Sequence, residues 1–226
     1  MNVSSGEQGR SSAPASPAPA SFAPASPAPA HRRAALSRQT KETSIEVSVD
    51  LDGAGSVAAS TGLPFFDHML SQLGRHAGWD LTVAARGDIE VDAHHTVEDT
   101  GIVIGEVLAE ALGDKAGIRR FGWSLVPLDE ALIEVALDLS GRPFLHYEVE
   151  IPPDTPPLGS PPFDPQLAEE FWRAVTSAAG LTLHVRKRSG RNVHHVVEAT
   201  FKSVARSLRD AQLREGGGVP STKGTL

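Results

Sequence analysis

Alternating apolar and polar positions predict strands in both halves of the chain. Between Ile45 and Leu51 the apolar side chains fall on every second residue, which is the period of a strand with one buried face. Asp52 and Gly53 follow as a turn signal. Five further strands are predicted over residues 79–86, 88–92, 132–139, 144–151 and 181–187.

Helical periodicity appears between these strands. The clearest helix covers residues 95–112, where Val97, Ile104 and Leu108 belong to one broad apolar stripe and Gly113 follows as a C-cap. Three more helices are predicted over residues 63–74, 166–179 and 195–213. Strands and helices therefore share the chain, which favours an α+β fold.

Composition divides the chain at about residue 40. Residues 11–30 are almost entirely Ala, Pro and Ser, and such a segment has too little apolar area to offset the entropy of ordering it. We therefore predict a disordered, dispensable tail over residues 1–40 and one domain over residues 41–226. Within the domain, residues 152–165 are rich in Pro, which predicts a surface loop. Residues 214–226 are rich in Gly, which predicts a mobile C-terminal segment.

Charge and residue usage exclude several classes of protein. The 226 residues carry a net charge of −7 at pH 7, which is unfavourable for neutralising the phosphates of a nucleic acid. No apolar run approaches the ~20 residues that cross a membrane. The chain has nine histidines and no cysteine, which excludes a disulfide framework and a cysteine nucleophile. Any bound metal must be held by imidazole and carboxylate.

The two halves of the domain resemble each other. Residues 44–53 (SIEVSVDLDG) resemble residues 132–141 (LIEVALDLSG), and the motif His-His-x-x-Glu occurs twice, at His94 and again 100 positions later at His194. Such self-similarity indicates two copies of one supersecondary unit. We predict repeat halves at about residues 41–114 and 128–213, which pack helix side to helix side around one core.

The repeated motif predicts metal sites. On a helix, positions i and i+4 share a face, so His94 and Glu98 can meet one ion, whereas adjacent residues such as His94 and His95 point about 100° apart. Each motif is therefore expected to serve two ions, and each ion to take ligands from both motifs. Imidazole and carboxylate without thiolate suit Mn, Fe, Ni or Zn. His68 and His184 can complete the two coordination spheres; the alternative for each is a packed core histidine.

Several short segments of the domain carry distinctive motifs. They are FDHML at 66–70, RFG at 120–122, LDEA at 128–131, SGRP at 140–143, PSTKG at 220–224, and the two motifs HHTVED at 94–99 and HHVVEATFK at 194–202. Together they resemble the imidazoleglycerol-phosphate dehydratase family of histidine biosynthesis. The resemblance covers about residues 41–226, and its motifs occur in the family's order, including both His-His-x-x-Glu copies.

The resemblance implies an internally duplicated α+β fold, with two four-stranded sheets enclosing a helical layer. It also implies a homo-oligomer, a 24-mer built from trimers, with two Mn²⁺ ions per active site at subunit interfaces. The cytoplasmic location that we expect comes instead from the composition, in which Ala and Arg dominate over Lys. The eight metal ligands that it implies are His68, His94, His95, Glu98, His184, His194, His195 and Glu198.

The activity implied is the loss of water from imidazole glycerol phosphate, which gives imidazole acetol phosphate. The proton to be removed lies on a carbon without an adjacent carbonyl, so the imidazole ring must relay the electrons. Glu42 is the leading acid/base candidate, and Glu198 is a second. The resemblance further assigns the substrate to Glu42 and Gln72 and its phosphate to Arg120, Arg142, Lys202, Ser221 and Lys223.

Other interpretations stay open on the residues alone. A dinuclear metallohydrolase could use the same ligands, although such sites usually contain bridging carboxylates and each motif offers one Glu. A non-catalytic protein whose subunits are joined by metal is a second alternative. An RNA-binding module is a third, which the acidic charge disfavours. Glu42, Arg120 and Arg142 could equally be surface charges.

Overall fold

The chain folds into two copies of one arrangement of elements. A computed structural model describes residues 1–2 and 31–226. The first copy contains β1 (Arg33–Gln39), β2 (Thr43–Asp50), β3 (Val57–Ser60), α1 (Pro64–Ala77), β4 (Asp80–Gly87) and α2 (His94–Leu112). The second contains β5 (Phe121–Leu128), β6 (Ala131–Asp138), β7 (Phe144–Glu148), α3 (Leu167–Ala179), β8 (Thr182–Ser189) and α4 (Val193–Ala211).

Each copy forms a four-stranded sheet with the same topology. The strand orders are β1-β2-β4-β3 and β5-β6-β8-β7. In both sheets the first three strands pair antiparallel, and the last pair is parallel. The equal topologies confirm the internal duplication and the α+β class expected from the sequence.

The helices pack between the two sheets and join the copies. Helix α2 packs on β1 and β2 and against α3 of the other copy, while α4 packs on β5 and β6 and against α1. The predicted alternation is confirmed in β2, where Ile45, Val47 and Val49 are buried in one continuous core. The metal-binding candidates on α1, α2 and α4 are thus held by the same core.

Two glycines allow the closest helix contact. A Cβ at Gly101 would lie 2.9 Å from the carbonyl oxygen of Phe171, and one at Gly105 would lie 2.7 Å from that of Val175. Any larger residue would force α2 away from α3, and α2 begins with one of the two His-His motifs.

The boundary predicted for the N-terminal tail is wrong. Strand β1 lies inside the predicted tail and pairs with β2 over its whole length. Arg32, just before the strand, donates to Asp52 and to the main-chain oxygen of Gln212. The pattern of β1 is weak because Ala, Ser and Arg dominate it, so tertiary pairing decides its conformation. Residues 3–30 of the predicted tail lie outside the described residues.

Three other differences have simple causes. Residues 88–92 form a turn rather than a strand, with the amide of Val91 donating to the carbonyl of Asp88. β3 has only four residues, too few for a clear period. β5 shows no polar alternation because Phe121, Trp123 and Leu125 are exposed on its outer face. The repeats accordingly begin at β1 and β5.

The Pro-rich loop lies between β7 and α3, as predicted. It is anchored by Phe163, which is fully buried against Phe65 and Phe66 of α1. Among the described residues, no helix is long and apolar enough to cross a membrane. The mobility expected of residues 214–226 stays a prediction.

Candidate functional site

One cluster of potential metal ligands forms where α1 meets α4. The Nε2 atom of His68 lies 3.3 Å from Oε2 of Glu198, and Nε2 of His194 lies 3.1 Å from the same oxygen. One ligand atom from each of the three side chains lies within 4.8 Å of the others. Within residues 1–2 and 31–226, this is the one group of three or more histidine and acidic side chains that converges in this way.

Glu198 is the best-connected carboxylate of the site. Its side chain is 12% exposed, and its second oxygen lies 2.6 Å from Nζ of Lys202, one helical turn further on. Burial acts to raise the pKa of Glu198, but the hydrogen bond and positive charge of Lys202 outweigh it, so this pKa lies below its usual value. Glu198 is therefore an ionised carboxylate at neutral pH.

The first-repeat motif has the same local geometry but fewer partners. Nε2 of His94 lies 3.4 Å from Oε2 of Glu98, as expected for positions i and i+4. Both side chains are more than 40% exposed, in contrast to Glu198. Within one chain, the two motifs are not brought together around a common ion.

The second histidine of each motif is held by a carboxylate. Nδ1 of His95 lies 3.1 Å from Asp88, and Nδ1 of His195 lies 2.8 Å from Glu130. These hydrogen bonds raise the pKa of both histidines. The hydrogen bond from His195 lowers the pKa of Glu130 to about 2, with the amide of Asn192 as the next cause.

Neither Asp88 nor Glu130 was predicted to have a role from the sequence. A role for Glu130 could have been inferred from the internal repeat. Residues 44–53 align with residues 132–141 at an offset of 88 positions, and the same offset aligns Glu42 with Glu130. Glu42 itself is 56% exposed and lies in the turn before β2, with Oε2 3.8 Å from Nδ1 of His95. The acid/base candidate thus lies beside a proposed metal ligand.

His184 lies apart from both clusters. It points to the outer face of the second sheet, where its ring lies 5.3 Å from that of His146 and 5.6 Å from that of Phe144. Burial, followed by the charge of His146, lowers its pKa. A ligand at this position cannot share an ion with the cluster on α1 and α4 of the same chain unless the chain rearranges.

The candidate phosphate-binding residues mostly come together. Arg120, Arg142, Ser221 and Lys223 line one pocket of about 590 Å³ beside the C-terminal segment. Arg120 donates two hydrogen bonds to Asp138 and one to the carbonyl of Pro220. No carboxylate among the described residues forms an ion pair with Arg142 or Lys223, so both charges are available to an anion.

Two of the predicted substrate residues lie elsewhere. Lys202 lies beside Glu198 on α4 rather than in the phosphate pocket. Gln72 is half-buried on α1, one turn after His68 and on the same face. These two residues border the metal-ligand cluster.

Residues of the cluster suit a divalent cation. Two imidazole nitrogens and one carboxylate converge, without sulfur, and this donor set is typical of Mn, Fe or Zn rather than of Ca. The fold and site together define an internally duplicated α+β protein that carries one imidazole–carboxylate motif at the start of a helix in each copy.

The chain belongs to the imidazoleglycerol-phosphate dehydratase family, whose members are hydro-lyases. The family model "Imidazoleglycerol-phosphate dehydratase" matches residues 61–208. The chain is 57% identical over 198 residues to the imidazoleglycerol-phosphate dehydratase of Frankia casuarinae, covering 86% of this chain and 99% of the relative. For the enzyme of Acidothermus cellulolyticus the identity is 55% over 197 residues, with 86% and 93% covered.

Solved structures support the same assignment. The imidazoleglycerol-phosphate dehydratase of Staphylococcus aureus superposes with a TM-score of 0.71 at 36% identity, covering 80% of this chain and 99% of that one. The enzyme of Pyrococcus furiosus gives a TM-score of 0.72 at 35% identity, with 84% and 100% covered. The family resemblance expected from the motifs is confirmed.

Proposed function

We propose that this chain catalyses the metal-dependent dehydration of imidazole glycerol phosphate to imidazole acetol phosphate, a step of histidine biosynthesis in the cytoplasm. Beyond family membership, the observation that carries the proposal is the convergence of His68, His194 and Glu198 on one point. A metal-ligand cluster and a cationic pocket are what a substrate with an imidazole at one end and a phosphate at the other requires.

The residues that would hold the metal are those of the two motifs and their neighbours. Two Mn²⁺ ions per active site are proposed, bound by His68, His94, His95, Glu98, His184, His194, His195 and Glu198. When bound, such ions act as Lewis acids that lower the pKa of the substrate's imidazole N–H and hold the ring as an electron acceptor.

Glu42 is the proposed general base. Its carboxylate is more than half exposed and lies 3.8 Å from His95, so it can reach a substrate bound beside that ligand. Glu198 remains a second candidate, but both its oxygens already have partners, which favours ligation as its main role. As the hydroxyl next to the ring leaves as hydroxide, Glu42 takes the proton from the neighbouring C–H, which gives the enol. Glu42 then returns this proton to the carbon that lost the hydroxide, and the enol O–H proton combines with the hydroxide to give water.

The phosphate is proposed to bind between Arg120, Arg142, Ser221 and Lys223. Two guanidinium groups, an ammonium and a hydroxyl supply charge-assisted hydrogen bonds to its oxygens. Lys202 and Gln72, which border the metal-ligand cluster, are proposed to contact the glycerol hydroxyls or the phosphate of a bound substrate.

The assembly is proposed to be a homo-oligomer, a 24-mer built from trimers. Within one chain, His184 lies on an outer sheet face and the two motifs do not share a point. Complete coordination spheres therefore require ligands from neighbouring copies. The net charge of −7 disfavours a nucleic-acid partner.

Product analysis tests this function against the hydrolase alternative. The Mn²⁺-loaded protein should convert imidazole glycerol phosphate to imidazole acetol phosphate without releasing inorganic phosphate, both measured by ³¹P NMR in one sample. Release of inorganic phosphate would favour the dinuclear hydrolase. An unchanged substrate would favour the non-catalytic assembly protein.

A further inference from the structure

Glu130 makes contacts that a surface carboxylate does not need. One oxygen accepts the Nδ1–H of His195 at 2.8 Å, and the other accepts the backbone N–H groups of Arg191 and Asn192 at 3.2 and 2.8 Å. Asn192 is the N-cap of α4, and its side chain accepts the backbone N–H of His195. Glu130 therefore fixes both the ring of His195 and the start of its helix.

A carboxylate partner at Nδ1 decides which nitrogen of the imidazole carries the proton. Because an ionised carboxylate only accepts hydrogen bonds, Nδ1 carries the proton of the neutral ring and Nε2 keeps its lone pair. The nearest groups to Nε2 are Nδ2 of Asn192 at 3.5 Å and Oδ2 of the exposed Asp129 at 3.8 Å.

The first repeat reaches the same result with a different residue. Nδ1 of His95 lies between the two oxygens of Asp88, at 3.1 and 3.3 Å. The repeat counterpart of Asp88 is Arg188, which forms an ion pair with Glu134. Its guanidinium has only donors, so it cannot accept a hydrogen bond from the ring N–H of His195. Glu130 fills that role in the second repeat, whereas its own counterpart, Glu42, approaches Nδ1 of His95 only to 3.8 Å.

We propose that Glu130 and Asp88 are positioning residues, each of which fixes the tautomer and orientation of one histidine so that Nε2 of His195 and of His95 faces a divalent cation. The inference rests on the metal sites of the proposed function. Outer carboxylates of this kind commonly strengthen metal binding by roughly 10- to 100-fold.

Glu130→Gln separates positioning from folding. The two backbone N–H groups hold the amide oxygen of the new side chain, so its NH₂ group faces Nδ1 of His195. The ring must then present a lone pair at Nδ1 and carry its proton on Nε2, the wrong tautomer for binding. Asp88→Ala serves as the second variant, because Asp88 has no side-chain partner among the described residues besides His95.

The experiment is a titration of metal-free full-length protein with Mn²⁺, followed by the EPR signal of the free ion. Glu130→Gln and Asp88→Ala should each weaken one Mn²⁺ site by roughly 10- to 100-fold while the metal-free melting temperature stays that of wild type. The matched control Glu169→Gln, which removes a carboxylate from an exposed ion pair with Arg173, should bind as wild type does.

Wild-type Mn²⁺ affinity at both sites in both variants would overturn the inference. Weaker Mn²⁺ binding by a variant whose metal-free melting temperature also falls below that of wild type would overturn it too, since the role of the carboxylate would then be structural. Should Glu130→Gln fail to fold, Asp88→Ala decides alone. A wild-type protein that binds Mn²⁺ but forms no imidazole acetol phosphate would refute the proposed function and leave this inference standing.

Discussion

At the scale of single residues, Glu42 and Glu130 occupy the same place in the two repeats but have different partners. Glu130 is bound to His195 and to two backbone amides. Glu42 has one carboxylate oxygen 3.8 Å from His95, too far for a hydrogen bond, because Asp88 already occupies that nitrogen. Duplication followed by divergence has thus left one repeat with an additional carboxylate beside a proposed metal ligand.

Replacing that additional carboxylate tests its proposed role. Glu42→Gln should lower kcat by about 100- to 10,000-fold, since an amide cannot accept the C–H proton. Mn²⁺ binding should be unchanged, because Asp88 rather than Glu42 holds His95. Steady-state turnover and Mn²⁺ content are measured on the same preparation. If the Glu42→Gln variant turns over within a factor of a few of wild type, Glu42 is not the general base.

A second residue-scale prediction concerns acid stability. The hydrogen bonds from Arg32 lower the pKa of Asp52, so its contribution to stability is complete above the unfolded pKa of about 4 and is lost as the pH falls through the lower folded value. Asp52→Asn should therefore cost about 1–2 kcal/mol at pH 6 and much less at pH 3. Urea unfolding at the two pH values measures this, and an equal cost at both would contradict it.

At the scale of elements, strong periodicity was enough to predict the helices and the buried strands. β2 and β6 were predicted because their apolar residues alternate, and α2 and α4 because apolar residues recur along one side of each helix. The weak strands were missed: β1 is mostly Ala, Ser and Arg, and β5 is apolar on both faces. Pairing with a neighbouring strand determines the conformation of such segments, and the local pattern of apolar and polar residues does not reveal that pairing.

At the site, too, local sequence patterns predict local contacts but not contacts between distant elements. Residues at positions i and i+4 of one helix lie on the same face, so the pairs His94–Glu98 and His194–Glu198 were predicted from their spacing. Contacts between distant elements were not: Glu130 lies 65 positions before His195. The role of each predicted ligand and substrate residue stays a prediction until it is tested.

Truncation tests the corrected start of the domain. Deleting residues 1–30 should leave the melting temperature unchanged, whereas deleting residues 1–40 removes β1 and exposes the edge of β2. The larger deletion should lower Tm by about 5 °C or more, as a loss of about 2 kcal/mol would in a domain of this size. Melting temperatures are measured by differential scanning fluorimetry. Equal values for the two deletions would show that residues 31–40 do not stabilise the domain, so that the domain begins at about residue 41.

At the scale of the whole molecule, two copies of one unit form one core, and each copy presents a motif at the start of its last helix. The motifs do not converge within one chain, so the account requires neighbouring copies to complete each site. Metal binding and assembly should then be coupled by mass action.

Chelation tests this coupling. Removing metal with EDTA should abolish turnover and shift the protein from the large assembly to smaller oligomers, measured by mass photometry, and adding Mn²⁺ should restore both. The reason is that ions at subunit interfaces contribute binding free energy to the assembly. An unchanged particle mass after chelation would place both ions within single subunits.

Stepwise reconstitution with metal tests whether two ions are needed for turnover. Metal-free protein is supplied with increasing equivalents of Mn²⁺, and imidazole acetol phosphate formed from imidazole glycerol phosphate is measured at each step. We expect no product without metal and a rate that stops rising at two equivalents per chain. Product formation by the metal-free chain, or a plateau at one equivalent, would refute the proposed pair of catalytic ions.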